Sequence, residues 1–423
     1  MKRLILGAVA FAALMLGACQ PQRKELGVTD LSKPHIYTNP TGDEFPIMAW
    51  FSLRPEEHLS ENPVTRERYE EMAEAGFNIS FSHFRTIEEV QQGLEASQGT
   101  GVKILVTCKE LFDDTENTVK LFRHHPQTAG YFLRDEPVCA ELPGLATLAE
   151  NIRKADDTKL LYLDLFPNYV DRAHLGTLDY AEYVRRAINE VKLGFISFDN
   201  YPVTFDGVRD MFYSNLADVA AESKKAGVPF WAFSLSTAHD PYPVANRAAM
   251  RLQIFSSLAY GAQGIQYFTY TTPMGTIWNF HNAPIDENGQ RTEVHDLVAE
   301  INHQVQALSK VFLGAEMIKV CYTGESIPSF RERLSEEDLP TTISKIESDG
   351  EGLLVSHLKN GEKHYLMIVN RDIYKSQRVT VEAAAGVVRI MPDGREVAAN
   401  RYSPSLYVEP GDMLLFGWEQ EQE

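Results

Sequence analysis

The chain contains few cysteines and few basic residues for its length. Its 423 residues include 4 cysteines, and 40 Lys and Arg face 59 Asp and Glu, which gives a net charge of -19. Cys108, Cys139 and Cys321 lack metal-ligand spacing and are odd in number, so we expect buried thiols and no disulfide framework. Because phosphate groups are bound by clustered Lys and Arg, the acidic balance argues against nucleic acid as a partner.

Glycine-rich phosphate loops and histidine clusters are also missing. No glycine-rich loop follows the first predicted strand, which argues against phosphoryl transfer and a nucleotide cofactor. His124 and His125 precede Pro126 at the entrance to a strand, where we expect solvated surface. We therefore predict neither a metal site nor a cofactor. The hydrophobic fraction of 44% is ordinary for a soluble protein, and the length suits two domains.

The first residues have the pattern of an export signal. Met1-Lys2-Arg3 is basic, residues 4–16 are apolar, and Leu16-Gly17-Ala18-Cys19 closes the run. This resembles a bacterial lipoprotein signal, which implies removal of residues 1–18, lipidation of Cys19 and an outer-membrane anchor facing either the periplasm or the cell surface. Residues 19–35 would then be a polar tether. The alternative is a secretory signal with a chance cysteine.

A strand followed by a helix is the repeated unit of the central region. Thr86 and Glu89 form a capping box that predicts one helix start, and the units recur about every 26 to 36 residues. Eight such units predict an α/β fold, a (β/α)8 TIM barrel over residues 36–312; a doubly wound open sheet is the alternative. The eight strand-like runs are Ile47 to Phe51, Phe77 to Phe84, Lys103 to Cys108, Thr128 to Leu133, Lys159 to Leu165, Phe195 to Phe198, Pro229 to Leu235 and Gly264 to Tyr270.

The last quarter of the chain has a different pattern of apolar residues and turn signals. Short apolar runs alternate with turn signals such as Asn360-Gly361 and Asp393-Gly394. This pattern is typical of hairpins and predicts a small C-terminal β-sandwich over residues 313–423.

Two adjacent carboxylates stand where the fourth predicted strand ends, in Gly130-Tyr131-Phe132-Leu133-Arg134-Asp135-Glu136-Pro137. Because a residue before proline favours an extended backbone, we expect Glu136 to lie extended at the strand end, facing a cleft. An alternative is that a carboxylate caps the next helix. Neighbouring residues of a strand point to opposite sides, so Asp135 and Glu136 should have different roles.

Carboxylates and aromatic residues dominate the other strand ends, where the active site of such a barrel lies. Cleavage of a glycosidic bond needs a carboxylic acid and a second group that stabilises or attacks the sugar. We take Glu136 as the acid, with Asp199 preferred as partner and Asp135 next. Residues that could bind the substrate are Trp50, His83, Arg134, Asn200, Tyr201, His239, Tyr270 and Trp278.

The octapeptide ending in Asp135-Glu136-Pro137 resembles strand four of (β/α)8 glycoside hydrolases of the bacterial lipoprotein type. In the related clan A this position carries Asn-Glu, and the resemblance implies that Glu136 is the general acid/base. The segment Leu258-Ala259-Tyr260-Gly261-Ala262-Gln263-Gly264-Ile265 is similar to the β-galactosidase branch of that clan. The resemblance covers about Ile47 to Pro273 and implies an oligosaccharide or polysaccharide substrate.

Two departures from clan A leave the mechanism open. Asp135 replaces Asn, and the seventh strand-like run has no Glu that could act as nucleophile. An Asp-Glu pair also resembles β-N-acetylhexosaminidases, in which Asp steers the substrate's own acetamido group and a Tyr, here Tyr201, helps to hold it. A third possibility is a catalytically inactive glycan-binding lipoprotein. The expected substrate is a neutral or N-acetylated glycan.

Overall fold

The computed structural model describes residues 30–55, 63–401 and 403–419. Cys19, the predicted signal and most of the predicted tether lie outside these ranges. Within the described ranges, no helix is both long and apolar enough to cross a membrane.

Eight parallel strands close into a barrel, because the first strand pairs with both the second and the eighth. The predicted (β/α)8 barrel is confirmed, and the open sheet is excluded. In chain order the strands are β1 (Ile47–Trp50), β2 (Ile79–Ser80), β3 (Lys103–Val106), β4 (Thr128–Asp135), β5 (Leu160–Leu165), β6 (Ile196–Phe198), β7 (Phe230–Leu235) and β8 (Ile265–Phe268).

Helices surround the barrel, and six of the eleven in the described part of the chain begin with a side chain that accepts a hydrogen bond from a backbone N–H of the first turn. The hydroxyl of Thr86 accepts a hydrogen bond from the Glu89 backbone N–H at 3.4 Å, as the capping box predicts. The helices are α1 (Arg66–Glu74), α2 (Ile87–Ser97), α3 (Lys109–Asp113), α4 (Thr115–Phe122), α5 (Leu142–Ala155), α6 (Arg172–Leu175), α7 (Tyr180–Val191), α8 (Met211–Ala226), α9 (Arg247–Ala259), α10 (Glu293–Ala307) and α11 (Ser309–Phe312).

The amino-terminal end of the barrel is closed by the chain that enters it. His35 is buried, its Nδ1 lies 3.0 Å from Asp157 Oδ1, and its Nε2 lies 2.9 Å from the Lys159 carbonyl oxygen. Trp231 on β7 donates from Nε1 to the Tyr37 hydroxyl at 3.3 Å. This end of the predicted tether is therefore packed against the barrel.

A C-terminal β-domain follows α11 and packs on α9. Its nine strands form a six-stranded sheet in the order β9-β11-β12-β17-β14-β15 and a three-stranded sheet in the order β10-β13-β16, with one apolar core between them. The Ser356 hydroxyl donates to the Ala259 carbonyl at 2.6 Å across the interface with the barrel. The strands are β9 (Glu316–Tyr322), β10 (Ile343–Ser348), β11 (Leu353–Asn360), β12 (Lys363–Asn370), β13 (Gln377–Ala383), β14 (Val388–Ile390), β15 (Glu396–Ala398), β16 (Ser405–Val408) and β17 (Met413–Glu419).

Candidate active site

A pocket of about 450 Å³ opens at the carboxyl ends of the barrel strands. Its volume suits a small sugar rather than a protein partner. Seven residues that the sequence nominates contribute to its lining. The full lining is Trp50, Asp135, Glu136, Asp164, Tyr169, Asp199, Tyr201, Phe233, His239, Asp240, Pro241, Tyr242, Phe268, Trp278 and Phe280.

Glu136 follows β4 directly, but its backbone is not extended as we expected. Its φ is +47°, in the left-handed region that non-glycine residues seldom adopt, and its N–H donates to the Asp164 carbonyl at 3.0 Å. A register shift between Phe132 and Arg134 in the pairing with β5 precedes this turn. Backbone strain of this kind concentrates at functional sites, since the surrounding structure must hold it in place.

The left-handed turn brings the side chains of Asp135 and Glu136 to the same side, whereas we expected them to point to opposite sides. In a regular strand Asp135 and Glu136 would point to opposite sides, yet both line the pocket. The turn after β4 rotates the Glu136 side chain back towards the side that Asp135 faces. The two groups can therefore act on the same substrate.

The carboxyl groups shift one another's protonation. Burial, followed by the charge of Asp135, raises the pKa of Glu136 to about 7, although a hydrogen bond with Asp199 acts in the opposite direction. Burial also raises the pKa of Asp135 to about 6, and Arg134 partly offsets this. Glu136 therefore retains a proton near neutral pH, as a general acid must.

Asp164 on β5 belongs to the same cluster, although it was not among the site residues predicted from the sequence. It accepts a hydrogen bond from the Ser197 hydroxyl, which accepts in turn from Gln266 Nε2 at 2.7 Å. The Tyr162 hydroxyl lies 2.9 Å from the same Ser197 oxygen. Burial, followed by the Asp135 charge, raises the pKa of Asp164 well above its ordinary value. This network forms the floor of the pocket.

Asp199 follows β6 and lines the pocket beside Glu136. Its side chain is 9% exposed, and its Oδ1 has no hydrogen-bond partner. Burial raises its pKa well above the ordinary value, and the charges of Glu136 and Asp164 add to this. A buried acceptor without a donor is costly, so this oxygen is suited to receive a donor from a ligand.

Loops after β7 and β8 build the mouth of the pocket. Trp278 is 57% exposed, and its ring lies edge-on to His239 with centroids 6.2 Å apart. Asn279 fixes the two loops together, because its Oδ1 accepts from the Asp240 backbone N–H at 3.0 Å. Asp240 is the first carboxylate after β7 to reach the pocket, and the sequence analysis did not nominate it.

Arg134 and Asn200, both predicted to bind substrate, lie outside the pocket lining. Arg134 forms an exposed ion pair with Glu141 at 3.2 Å. Asn200 is buried, and its Nδ2 donates to Asn215 Oδ1 on α8 at 2.7 Å. Arg134 is therefore engaged elsewhere, whereas the Oδ1 of Asn200 has no hydrogen-bond partner. Neither residue belongs to the pocket lining.

His83 and Tyr270 also lie outside the lining. The His83 ring stands edge-on to Trp50 with centroids 6.4 Å apart, which places it beside the pocket. Tyr270 is fully buried in the layer between barrel and helices, with its ring 5.3 Å from that of Phe77. Tyr270 therefore faces away from the pocket.

In the described part of the chain, no group of three or more His, Cys, Asp or Glu side chains is arranged to hold a metal ion. The pocket therefore offers acid/base groups and aromatic faces rather than a ligand set. This arrangement can protonate a leaving group and stabilise a developing positive charge on a sugar.

Residues 168–308 match the family model described as Glyco_hydro_42: Beta-galactosidase. This segment, about a third of the chain, carries Asp199 and the loops after β7 and β8. A curated relative, β-galactosidase BgaA from Planococcus sp. (strain 'SOS Orange'), is 26% identical over 148 residues, which is 34% of this chain and 21% of that relative. The chain thus spans about a fifth of the length of the curated relative that it matches.

Solved structures share the fold over most of the chain. A catalytic mutant of Gan42B, a GH42 β-galactosidase from G. stearothermophilus, covers 91% of this chain and 100% of its own, with TM-score 0.64 and 10% identity. A β-galactosidase from Bacillus circulans sp. alkalophilus covers 89% of this chain and 99% of its own, with TM-score 0.59 and 9% identity. At this identity the likeness shows the fold alone. With the family match, these findings support a (β/α)8 glycoside hydrolase.

Proposed function

We propose that this protein is a glycosidase in which Glu136 is the general acid/base. The observation that carries the proposal is the position of Glu136. It directly follows β4 and lines a pocket with aromatic walls, beside the second carboxylate Asp135. Its pKa of about 7 supports the role, because an acid must hold its proton until the leaving group departs. The substrate class that fits the acidic composition is a glycan without acidic groups, neutral or N-acetylated.

In this reaction the Glu136 proton moves to the glycosidic oxygen as the bond from that oxygen to the sugar carbon breaks. Water supplies the new hydroxyl on the sugar, and its proton returns to Glu136. Trp50 and Tyr201 on the pocket wall offer apolar faces for the sugar ring. Trp278 at the mouth is placed to contact the leaving group.

The second catalytic group is better assigned to Asp135 than to Asp199. In retaining glycosidases the two carboxyl groups lie about 5 Å apart, which leaves room for the sugar carbon between them. Asp199 acts on the pKa of Glu136 through a hydrogen bond, so it contacts the acid itself, whereas Asp135 acts on Glu136 through its charge. We propose that Asp199 binds substrate, although the sequence analysis favoured it as the partner.

A substrate-assisted β-N-acetylhexosaminidase is the second candidate. Asp135 and Glu136 both face the pocket, and none of the six residues of β7 is acidic. In that mechanism Asp135 would orient the acetamido group, and a thiazoline mimic of the cyclised intermediate would inhibit the enzyme strongly. Inhibition no stronger than that by the parent sugar would rule the mechanism out.

The test of the acid is the variant Glu136→Gln, assayed on a panel of aryl glycosides and oligosaccharides. We expect kcat/KM to fall by about a thousandfold, the middle of the range for a lost general acid. The wild-type rate should fall above pH 7 as Glu136 loses its proton, and the variant should lack this limb. Asp113→Asn is the control, since Asp113 is an exposed carboxylate at the same barrel end outside the pocket.

Two outcomes would contradict the proposal. A Glu136→Gln variant with undiminished rate would remove Glu136 as the acid. If the wild-type protein cleaves no glycoside while the same sugars raise its melting temperature, the protein is a glycan-binding lipoprotein without catalysis.

We also propose that Cys19 is lipidated and anchors the protein to the outer membrane. The support is the order of basic, apolar and small residues before Cys19. Metabolic labelling with a fatty acid analogue should mark the wild-type protein and leave Cys19→Ser unlabelled. Labelling of both would show that another residue carries the lipid.

A further inference from the structure

We infer that the sugar bound in this pocket carries a free amine on C2, the carbon next to the scissile bond. This inference rests on the proposed glycosidase activity and narrows its substrate from neutral glycans to 2-amino-2-deoxy glycosides.

The pocket lining is strongly acidic. It contains five acidic side chains, Asp135, Glu136, Asp164, Asp199 and Asp240, and no Lys or Arg. Two carboxyl groups are enough for glycoside hydrolysis, Asp164 accepts a hydrogen bond from Ser197, and Asp240 is exposed, so Asp199 is the one that needs another explanation. A bound cation would offset the repulsion among them.

The nearest basic groups do not offset this charge from within the pocket. Arg134 pairs with Glu141 at 3.2 Å. Arg209 donates to the Tyr242 hydroxyl at 3.1 Å and lies 5.1 Å from the Tyr169 ring centre, behind the wall that these rings form. His239 lines the pocket, but burial lowers its pKa, so its ring is neutral near pH 7.

One carboxyl oxygen of Asp199 lacks a hydrogen-bond partner. Asp199 is more than nine-tenths buried, it lines the pocket, and its Oδ1 receives no hydrogen bond. An ammonium group is the donor that best satisfies this oxygen, because its positive charge favours the ionised form of Asp199 and makes the hydrogen bond charge-assisted. The ring of Tyr201, which lines the pocket after the same strand, adds an aromatic face that also favours a cation.

A metal ion fits this cluster less well than an organic cation. Within the described ranges, no three of the acidic side chains converge as metal ligands do. An ammonium group needs only one or two carboxylates, and the sugar that carries it also fills the aromatic part of the pocket.

The position of Asp199 selects C2. Asp199 shares a hydrogen bond with Glu136, which acts on the oxygen attached to C1. The ring neighbours of C1 are C2 and the ring oxygen, and only C2 carries a substituent. A free amine has no acetamido oxygen, so the inference also excludes the substrate-assisted mechanism and leaves Asp135 as the second group.

The test compares nitrophenyl glycosides that differ only at C2, with a hydroxyl, an acetamido or a free amino group, in both the gluco and galacto series. We expect kcat/KM for the amino sugar to exceed that for the others by tenfold or more at pH 6 to 7. Faster cleavage of the hydroxyl or acetamido sugar would overturn the inference and leave the glycosidase proposal standing.

If no glycoside is cleaved, the proposed function fails, and binding tests the inference by itself. Glucosamine and galactosamine should then raise the melting temperature more than glucose, galactose and their N-acetyl forms. Equal shifts for all of these sugars would overturn the inference.

The variant Asp199→Asn tests the residue. We expect the ratio of kcat/KM for amino and hydroxyl sugars to fall by tenfold or more, and this ratio does not depend on the fraction of folded protein. Asp113→Asn is the control, because Asp113 is an exposed carboxylate outside the pocket lining and the ratio should change by less than threefold. If Asp199→Asn lowers both rates equally, Asp199 does not recognise the amine.

Discussion

The two ends of the barrel use the same eight strands and differ in how their polar groups are satisfied. At the amino end His35 is buried with both ring nitrogens hydrogen-bonded. At the carboxyl end Asp199 has an oxygen without a partner, and Glu136 holds a left-handed backbone. The amino end of the barrel therefore contributes to stability, whereas the carboxyl end keeps the strained backbone of Glu136 and the buried carboxyl group of Asp199 available for a ligand.

The largest effect on stability is expected at the amino end, from Gly194→Ala. A Cβ on Gly194 would lie 2.7 Å from the His35 carbonyl oxygen and 2.9 Å from the Tyr37 nitrogen, both backbone atoms. The entering chain would have to move away, and we expect the free energy of unfolding to fall by about 2 kcal/mol. Chemical denaturation measures this, and kcat/KM per folded molecule should not change.

The matched control is Gly144→Ala in α5, where an added Cβ meets no atom within 4 Å. Alanine is the better helix former, so this variant should gain up to about 1 kcal/mol. A Gly194→Ala variant that is as stable as the wild type, or that has a lower kcat/KM per folded molecule, would contradict this difference between the two ends of the barrel.

A smaller effect of opposite sign is expected at the carboxyl end, from Glu136→Gln. The pKa of Glu136 is raised from 4.5 to about 7 in the folded protein, so between these values the folded state binds more protons than the unfolded state. The free energy of unfolding therefore falls as the pH rises through this window. Glutamine removes this loss and should stabilise the protein at pH 8 by about 1 to 2 kcal/mol, after allowance for partial solvent screening.

Thermal unfolding of the wild type and Glu136→Gln at pH 4.5 and pH 8 measures this difference. The two proteins should differ more at pH 8, while Asp135, whose pKa is also raised, leaves a residual slope in both. A variant less stable than the wild type at pH 8 would mean that the Glu136 charge is stabilised in the folded state.

The smallest effect is expected at the mouth, from Trp278→Ala. The Trp278 ring lines the pocket but is 57% exposed, so we expect a loss of about 1 kcal/mol, close to fivefold in kcat/KM. Steady-state kinetics should place most of this change in KM. Ile277→Ala is the neighbouring control, since Ile277 is 97% exposed and outside the lining. Equal losses of kcat/KM in both variants would show that the conformation of this loop affects activity and that the Trp278 ring does not bind the substrate.

The positions of the strands were predictable because strands buried on both faces are continuous apolar runs. All eight barrel strands lie within the predicted runs or differ from them by a few residues at an end, such as β4, which continues to Asp135. The Thr86 cap was predictable for a similar reason, since capping is local.

The membership of the pocket was less predictable. Trp50 and Trp278 line it as expected, whereas Tyr270 faces the helices. Asp164 and Asp240 line it although neither was nominated. Which way a strand-end residue points depends on register shifts and loop turns that a pattern of residue types does not encode.

The barrel, the C-terminal β-domain and the two carboxylates where β4 ends can be predicted from the sequence alone, because they depend on periodicity and local preference. The turn of Glu136 back beside Asp135, and the contact of Asp199 with it while one Asp199 oxygen lacks a partner, required the folded structure. Pairing between β4 and β5 sets the turn at Glu136, and burial by distant strands sets the charge state of the cluster.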